Sequence, residues 1–387
     1  MYIPYGRQEI SRADIDAINE VLQSDFLTQG PVVPRFECIV AQRVGSAHAV
    51  ALNSATSALH VACLALGLGP GDDLWTTPIS FVASANCALY CGANVDFVDI
   101  DPRTYNLCPK ALEKKLAIAE HNGCLPKVVV PVHLCGQSCD MRAIKALSEK
   151  YGFKIIEDAS HAIGGKYQGD YIGNCSYSDI TIFSYHPVKI ITTAEGGMAL
   201  TNDANLADLM RGYRSHGIAS DRVQMLPRPE DEIWNYQQVL LGFNYRMTDM
   251  QAALGVSQMK RLDEFVVARH RIANRYDALL GDLPVTTPYQ HPDSYSSFHL
   301  YPILIKKCNA GKSQKYVYNM LRGAGILVNL HYIPIYRQPY YESMGFNVGY
   351  CPNAEDYFKS SISIPLYPAL NERQQDYVIQ TLISILS

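Results

Sequence analysis

Short apolar runs alternating with helix-patterned stretches constrain this chain more than any other feature. Residues 49–52, 74–78, 95–99, 128–132, 154–158, 180–183 and 198–201 are brief and apolar along most of their length. Between them, segments such as 82–90 and 141–151 carry apolar residues at helical spacing. Strands that stay apolar instead of alternating are buried on both faces, which requires helices on both sides of the sheet. The rhythm predicts an α/β fold with a doubly wound, mainly parallel central sheet sandwiched by helices.

The flanks fit a larger and a smaller unit. Residues 14–23 read as a helix capped by Ser11, with Ile15, Ile18, Val21 and Leu22 on one face, and residues 36–44 as a second. A long helical region from Thr248 to about Leu280 leads out of the first unit. Beyond Pro284, strand-like runs at 297–305 and 326–329 mix with helices at 312–322 and 372–386, as in a small α+β domain. We place the boundary at 250, giving 1–250 with an N-terminal arm and 251–387 with the linking helix. The polar 219–238 stretch, with Pro227, Pro229, Glu230, Asp231 and Glu232, reads as a surface excursion.

Composition excludes several classes. A net charge of −4 gives no reason to expect nucleic acid or an anionic membrane as partner. No apolar run reaches membrane-spanning length, and the first residues lack a secretory pattern, so a cytoplasmic protein is expected. The 11 cysteines form no CxxC pair and have no histidine cluster beside them, so reduced thiols are expected and no metal.

Chemistry enters at Lys189. It lies between the 180–183 strand and a Glu195-Gly-Gly turn, an unusual setting for a surface lysine. The upstream strand Lys154-Ile-Ile-Glu-Asp158 ends in a carboxylate. Two strands that deliver an amine and a carboxylate to one sheet edge supply what pyridoxal phosphate needs. The amine forms a Schiff base, and the carboxylate keeps the pyridine nitrogen protonated.

Other residues have both a functional and a plain reading. Asn53-Ser54-Ala55-Thr56-Ser57 lies at a strand-to-helix junction, where helix amides can seat a phosphate or the hydroxyls can simply cap the helix. Ser184 can add a phosphate contact or satisfy a turn. Phe81 can stack on a planar ring or belong to the core, the commoner fate of a strand-end aromatic. His161 can pack on such a ring, reach its phenolic oxygen, or make a local hydrogen bond. The chain has no GxxxxGK[ST], no GxGxxG after the first strand, no GxSxG and no HExxH. His133 and His186 stand alone.

The Asn53–Ala58 run, Thr77-Pro-Ile-Ser-Phe-Val-Ala-Ser-Ala-Asn86, Glu157-Asp-Ala-Ser-His-Ala162 and Ser184-Tyr-His-Pro-Val-Lys189 resemble the DegT/DnrJ-type sugar aminotransferases. So do Thr193-Ala-Glu-Gly-Gly197, Arg214-Ser-His-Gly217, Gly242-Phe-Asn-Tyr-Arg-Met-Thr-Asp249 and Gly325-Ile-Leu-Val-Asn-Leu-His-Tyr332, in the family's order across almost the whole chain. The resemblance implies a fold-type I pyridoxal phosphate transferase acting on keto sugars attached to nucleotides, as a homodimer with shared sites. Within the family, Phe26-Leu-Thr-Gln-Gly30 and His331-Tyr-Ile-Pro-Ile-Tyr336 resemble the branch that aminates a UDP-linked 4-keto-6-deoxy-N-acetylhexosamine toward pseudaminic acid, with L-glutamate as donor.

Carried over residue by residue, the likeness makes Lys189 the Schiff-base residue and pairs Asp158 with the pyridine nitrogen. Ala55, Thr56 and Ser184 hold the phosphate, with Phe81 and His161 around the ring. Asn244 reaches the phosphate from the partner subunit. Tyr5, Asp25, Phe26, Leu27, Thr28, His331 and Tyr332 line the sugar-nucleotide pocket. The 219–238 excursion is longer than the family's usual connection, and Tyr185 stands where phenylalanine is common. A dehydratase on this scaffold has histidine in place of the lysine, so Lys189 argues for amino transfer. A non-catalytic binding protein is the other alternative, since scaffold does not dictate function.

Overall fold

The computed structural model describes residues 2–221, 223, 225–229, 235–306 and 312–386. Seven strands form its central sheet: β1 (His48–Leu52), β2 (Asp73–Thr76), β3 (Asn94–Phe97), β4 (Val128–Val130), β5 (Lys154–Asp158), β6 (Ile180–Ser184) and β7 (Gly197–Thr201). Their order is β1-β7-β6-β5-β4-β2-β3. All pairs are parallel except those of β7, which runs antiparallel to both β1 and β6. No helix separates β6 from β7, and a parallel return needs a crossover that this short loop does not contain. That loop carries Lys189.

Helices cover both faces, as the unalternating strands require. On one face α3 (Ala55–Ala65), α4 (Ala83–Tyr90) and α7 (Ala204–Arg214) bury Leu59, Ala62 and Met210 with Val50, Ile156, Ile182 and Ala199. On the other, α2 (Val32–Val44) and α8 (Asp249–Met259) bury Phe36, Val40 and Ala252 with Ala51, Phe183, Met198 and Leu200. Alternate residues of β7 thus feed opposite cores. Farther along that second face, Leu116 of α5 (Pro109–Asn122) and Ile144 of α6 (Met141–Tyr151) cover Trp75, Val129 and Ile155.

A further sheet pairs Val285–Thr286, Tyr301–Ile305 and Ser361–Ile364 antiparallel, packed by the helices Gln314–Gly323 and Glu372–Leu386. The amino terminus joins this core: Ile3–Pro4 pairs with Ile326–Leu327, and Ile3 is fully buried.

Three details depart from the sequence reading. The single helix expected from Thr248 to Leu280 is two, because α8 ends at Met259 and α9 (Leu262–Leu280) restarts the chain. At the joint, the Lys260 and Arg261 amides donate to carbonyls only three residues back, and the Arg261 guanidinium is held by Glu9 and Glu264. In α1 (Arg12–Leu22), Ser11 forms the expected cap, completed by Asp14. Its helix, however, leaves Ile15 and Leu22 exposed and buries Asp14, which accepts from Gln258 Nε2 at 2.8 Å. The 219–238 excursion opens on a pairing of Ile218–Ala219 with Gln237–Gln238; residues 222, 224 and 230–234, including Glu230, Asp231 and Glu232, lie outside the described residues.

Gly255 sets the approach of α8 to α2, since a Cβ there would sit 2.6 Å from the Phe36 ring. Glycine to alanine inside a helix ordinarily gains up to about 1 kcal/mol. Overpacking a fully buried ring costs about 1–3 kcal/mol and wins here. Gly255→Ala is expected to lower the urea midpoint, measured by far-UV circular dichroism.

Candidate active site

The site forms at the carboxyl edge of the sheet, where β5 and β6 end side by side with Asp158 opposite Ile182. Asp158 is buried, and its two carboxylate oxygens are bound separately. Ser84 Oγ donates to Oδ2 at 2.6 Å, and the Ser160 amide donates to Oδ1 at 3.1 Å. Ser84 is itself paired with Ser80 Oγ at 2.7 Å, one turn earlier. The two hydroxyls and the carboxylate make a buried row that fixes the carboxylate plane.

Lys189 follows in the β6–β7 loop. The loop is closed by Tyr185 N–H donating to Gly196 O at 2.9 Å and Thr193 N–H donating to Tyr185 O at 3.0 Å. The residue is half-buried, but burial of its amine pushes the pKa down to about 8, with the Asp158 carboxylate working in the opposite direction. An amine so tuned is a usable nucleophile and base near neutrality.

Beside it β7 packs against the start of α3. Gly197 pairs with Ser184 in β6, and a Cβ on it would meet Ser54 O at 2.4 Å and Ala55 N at 2.5 Å. Only glycine lets β7 lie this close to the amino end of α3. Ser54 caps that helix by accepting from Ser57 N–H at 3.1 Å, which leaves the first amides, of Ala55 and Thr56, without intrahelical acceptors. Capping is carried by the Ser54 side chain and does not occupy the Ala55 and Thr56 amides, while Ser184 Oγ accepts from His186 N–H at 3.5 Å. Phe81 is 59% exposed, so the core role open to a strand-end phenylalanine is not the one it has.

Imidazoles form the far wall. His161 is buried; its Nδ1 accepts from Cys135 N–H at 3.2 Å, and its Nε2 is 3.3 Å from the Tyr332 hydroxyl. His299 packs against it at 4.4 Å between ring centres. His331 packs tilted against Tyr5 at 5.1 Å between ring centres, and its Nδ1 is 2.9 Å from Ser363 Oγ. Burial, reinforced by Lys189, pushes His331 down to about 3 and His161 and His299 well below the usual histidine range. All three are neutral at physiological pH. His133, isolated in the sequence, is buried with Nε2 2.7 Å from Glu157 Oε2.

One chain thus gathers Lys189, Asp158, Ser184, Ala55, Thr56, His161, His331, Tyr332 and Tyr5 into one region. Asp25, Phe26, Leu27 and Thr28 lie exposed, and Thr28 bridges Thr248, whose capping partner Gln251 donates to Glu195 O in the Lys189 loop at 2.9 Å. Asn244 is exposed too, with its backbone bridged to Ser215. Sequence reasoning missed Ser84 and His299. The i, i+4 spacing of Ser80 and Ser84 was visible, but not the carboxylate they face. A separate cavity of about 610 Å3, lined by Arg103, Lys110, Asp140 and Lys150, contains none of these groups.

The profile of the DegT/DnrJ/EryC1/StrS aminotransferase family matches residues 8–383. The chain belongs to this family. The Bacillus subtilis spore coat polysaccharide biosynthesis protein SpsC is 37% identical over 100% of this chain and 97% of its own. A Campylobacter jejuni UDP-4-amino-4,6-dideoxy-N-acetyl-β-L-altrosamine transaminase is 37% identical over 99% of this chain and 97% of its own. The solved structure of Helicobacter pylori PseC, an aminotransferase involved in pseudaminic acid biosynthesis, superimposes with a TM-score of 0.89 at 33% identity, covering 100% of this chain and 99% of that one. The DegT/DnrJ/EryC1/StrS enzymes are pyridoxal phosphate aminotransferases. The residues present fit that cofactor: an amine of lowered pKa, a buried and oriented carboxylate, and helix amides beside a glycine-cleared seat.

Two outcomes are expected. In the cofactor-free protein, Lys189 is neutral above its lowered pKa, so the rate of its acylation by an uncharged reagent should rise with pH to a plateau with a midpoint about 8. A midpoint near that of free lysine would contradict the burial. Ser84→Ala removes one donor to Asp158 and should weaken cofactor affinity by about 1.5–3 kcal/mol, the range for hydrogen bonds to charged groups, as read by equilibrium dialysis.

Proposed function

We propose that this sugar aminotransferase moves an amino group from L-glutamate to the C4 carbonyl of a UDP-linked 4-keto-6-deoxy-N-acetylhexosamine. The product on this reading is UDP-4-amino-4,6-dideoxy-N-acetyl-β-L-altrosamine, a precursor of pseudaminic acid. The observation that carries the amino-transfer reading is Lys189, an amine of pKa about 8 that shares the sheet edge with Asp158. The choice of sugar rests on the 37% identity to the Campylobacter jejuni enzyme and on the Helicobacter pylori neighbour.

Bound pyridoxal phosphate supplies an electron-withdrawing ring that makes the neighbouring C–H bonds acidic. The chain's own groups do the rest. Asp158, fixed by Ser84 and Ser160, holds a proton on the ring nitrogen. Ala55 and Thr56 amides and Ser184 Oγ bind the phosphate at the positive end of α3. His161 and Phe81 orient the ring. Lys189 Nζ takes up a proton as base and then delivers it as acid to C4 of the sugar, and delivery to one face sets the configuration. Tyr5, Asp25–Thr28, His331 and Tyr332 form the sugar-nucleotide pocket. In a homodimer, Asn244 completes the partner's phosphate seat; its exposed side chain has no hydrogen-bond partner within its own chain among the described residues.

A second reading, another keto sugar nucleotide, draws on the equal identity to SpsC. A panel of UDP-, dTDP- and GDP-linked keto sugars assayed with glutamate, with product configuration by NMR, separates the two.

The shared site has its own test. Lys189→Ala and Asn244→Ala homodimers should each be nearly inactive. Mixing them should restore up to about a quarter of wild-type activity per total subunit, because one composite site in each heterodimer is intact. Mixtures no more active than the parents would refute the shared site. Lys189→Ala should also retain no cofactor after borohydride reduction and denaturation.

A further inference from the structure

Two imidazoles at the sheet edge are held alike by the loop after β4. The Cys139 amide donates to His133 Nδ1 at 3.1 Å, and the Cys135 amide donates to His161 Nδ1 at 3.2 Å. Cys135 delivers its amide from a left-handed conformation, φ 60°, which only a few per cent of non-glycine residues adopt. Strain of this kind persists where the surroundings impose it, and here the imposed result is one hydrogen bond into a buried ring.

That bond has a consequence for the other nitrogen. A ring nitrogen that accepts a hydrogen bond carries no proton, and a neutral imidazole has only one. His161 is neutral, because burial and the nearby Lys189 oppose its protonation. Its proton therefore sits on Nε2, facing the Tyr332 hydroxyl at 3.3 Å. In that pair the imidazole donates and the phenol oxygen accepts. Tyr332 is neutral as well, since burial pushes its pKa up. Its own O–H hydrogen must then point away from His161, and no acceptor for it exists among the described residues.

We propose that Tyr332 is a catalytic residue that donates this O–H to the ketone oxygen of the keto sugar, with His161 and the Cys135 turn as the positioning groups that aim it. The proposal rests on the function given above and deepens it. An oxygen that gains negative charge is stabilised most by a donor oriented in advance within dry surroundings. The rings beside it, three uncharged imidazoles and Tyr5, present dipoles to an incoming oxygen, while the Arg269 guanidinium next to His299 donates to the Phe298, His299 and Leu366 carbonyls.

The two half-reactions of the holoenzyme separate the donor from the sugar. In Tyr332→Phe, glutamate should bleach the yellow cofactor at a rate within about twofold of wild type. The keto sugar should restore the colour about 10²–10³-fold more slowly, the loss typical of one missing oxyanion donor. The unimpaired first half is the folding control. Independently, 15N NMR of the cofactor-free protein should find His161 protonated at Nε2. Equal slowing of both halves, an unslowed second half, or a His161 proton on Nδ1 each overturns this proposal alone. A wild-type enzyme inert with every keto sugar overturns the functional reading and this proposal with it.

Discussion

The contact between the Gly197 backbone and that of Ser54 and Ala55 organises the rest of the site. It brings β7 against the start of α3, and through the β7–β6 pairing it sets Ser184 beside the same helix end. The loop that closes the hairpin must then turn at the sheet edge, and Lys189 is in that turn. A side chain at 197 would separate the seat from the strand that carries the amine to it.

Electrostatics at the site follow from dryness more than from pairing. Lys189 loses basicity to burial although a carboxylate works to raise it. The same burial keeps His161, His299 and His331 uncharged. An amine beside three cations would be poised very differently. Nearest the amine are one carboxylate and three uncharged rings, and the buried Arg269 guanidinium next to His299 donates to backbone carbonyls.

Much of this was legible in the sequence because it depends on local pattern. Unalternating apolar strands announce a sheet covered on both sides, Ser11 and Ser54 mark helix starts, and Asp158 ends a strand while Lys189 lies in the loop beyond the next one. What was not legible depends on which surfaces meet. Ile15 and Leu22 have the spacing of a core-facing stripe, yet tertiary packing buries Asp14 instead. The break between α8 and α9 has no glycine or proline to signal it and arises where Glu9 and Glu264 hold Arg261. Ser84 and His299 read as ordinary residues until the sheet edge places them beside Asp158 and His161. The roles proposed for residues such as Asn244 and Tyr332 came from the family resemblance, since no local pattern encodes them.

The antiparallel return of β7 fixes both ends of the Lys189 loop to neighbouring strands, with Tyr185 bonded across it to Gly196 and Thr193. The lysine backbone is therefore anchored, and its amine can relocate only by torsions of its own four-carbon stem. Such torsions are rotamer flips, among the fastest motions a protein makes, whereas moving a loop takes far longer. On the proposed function, one group could thus serve first as an attachment point and then as a proton carrier without the chain opening between the two tasks.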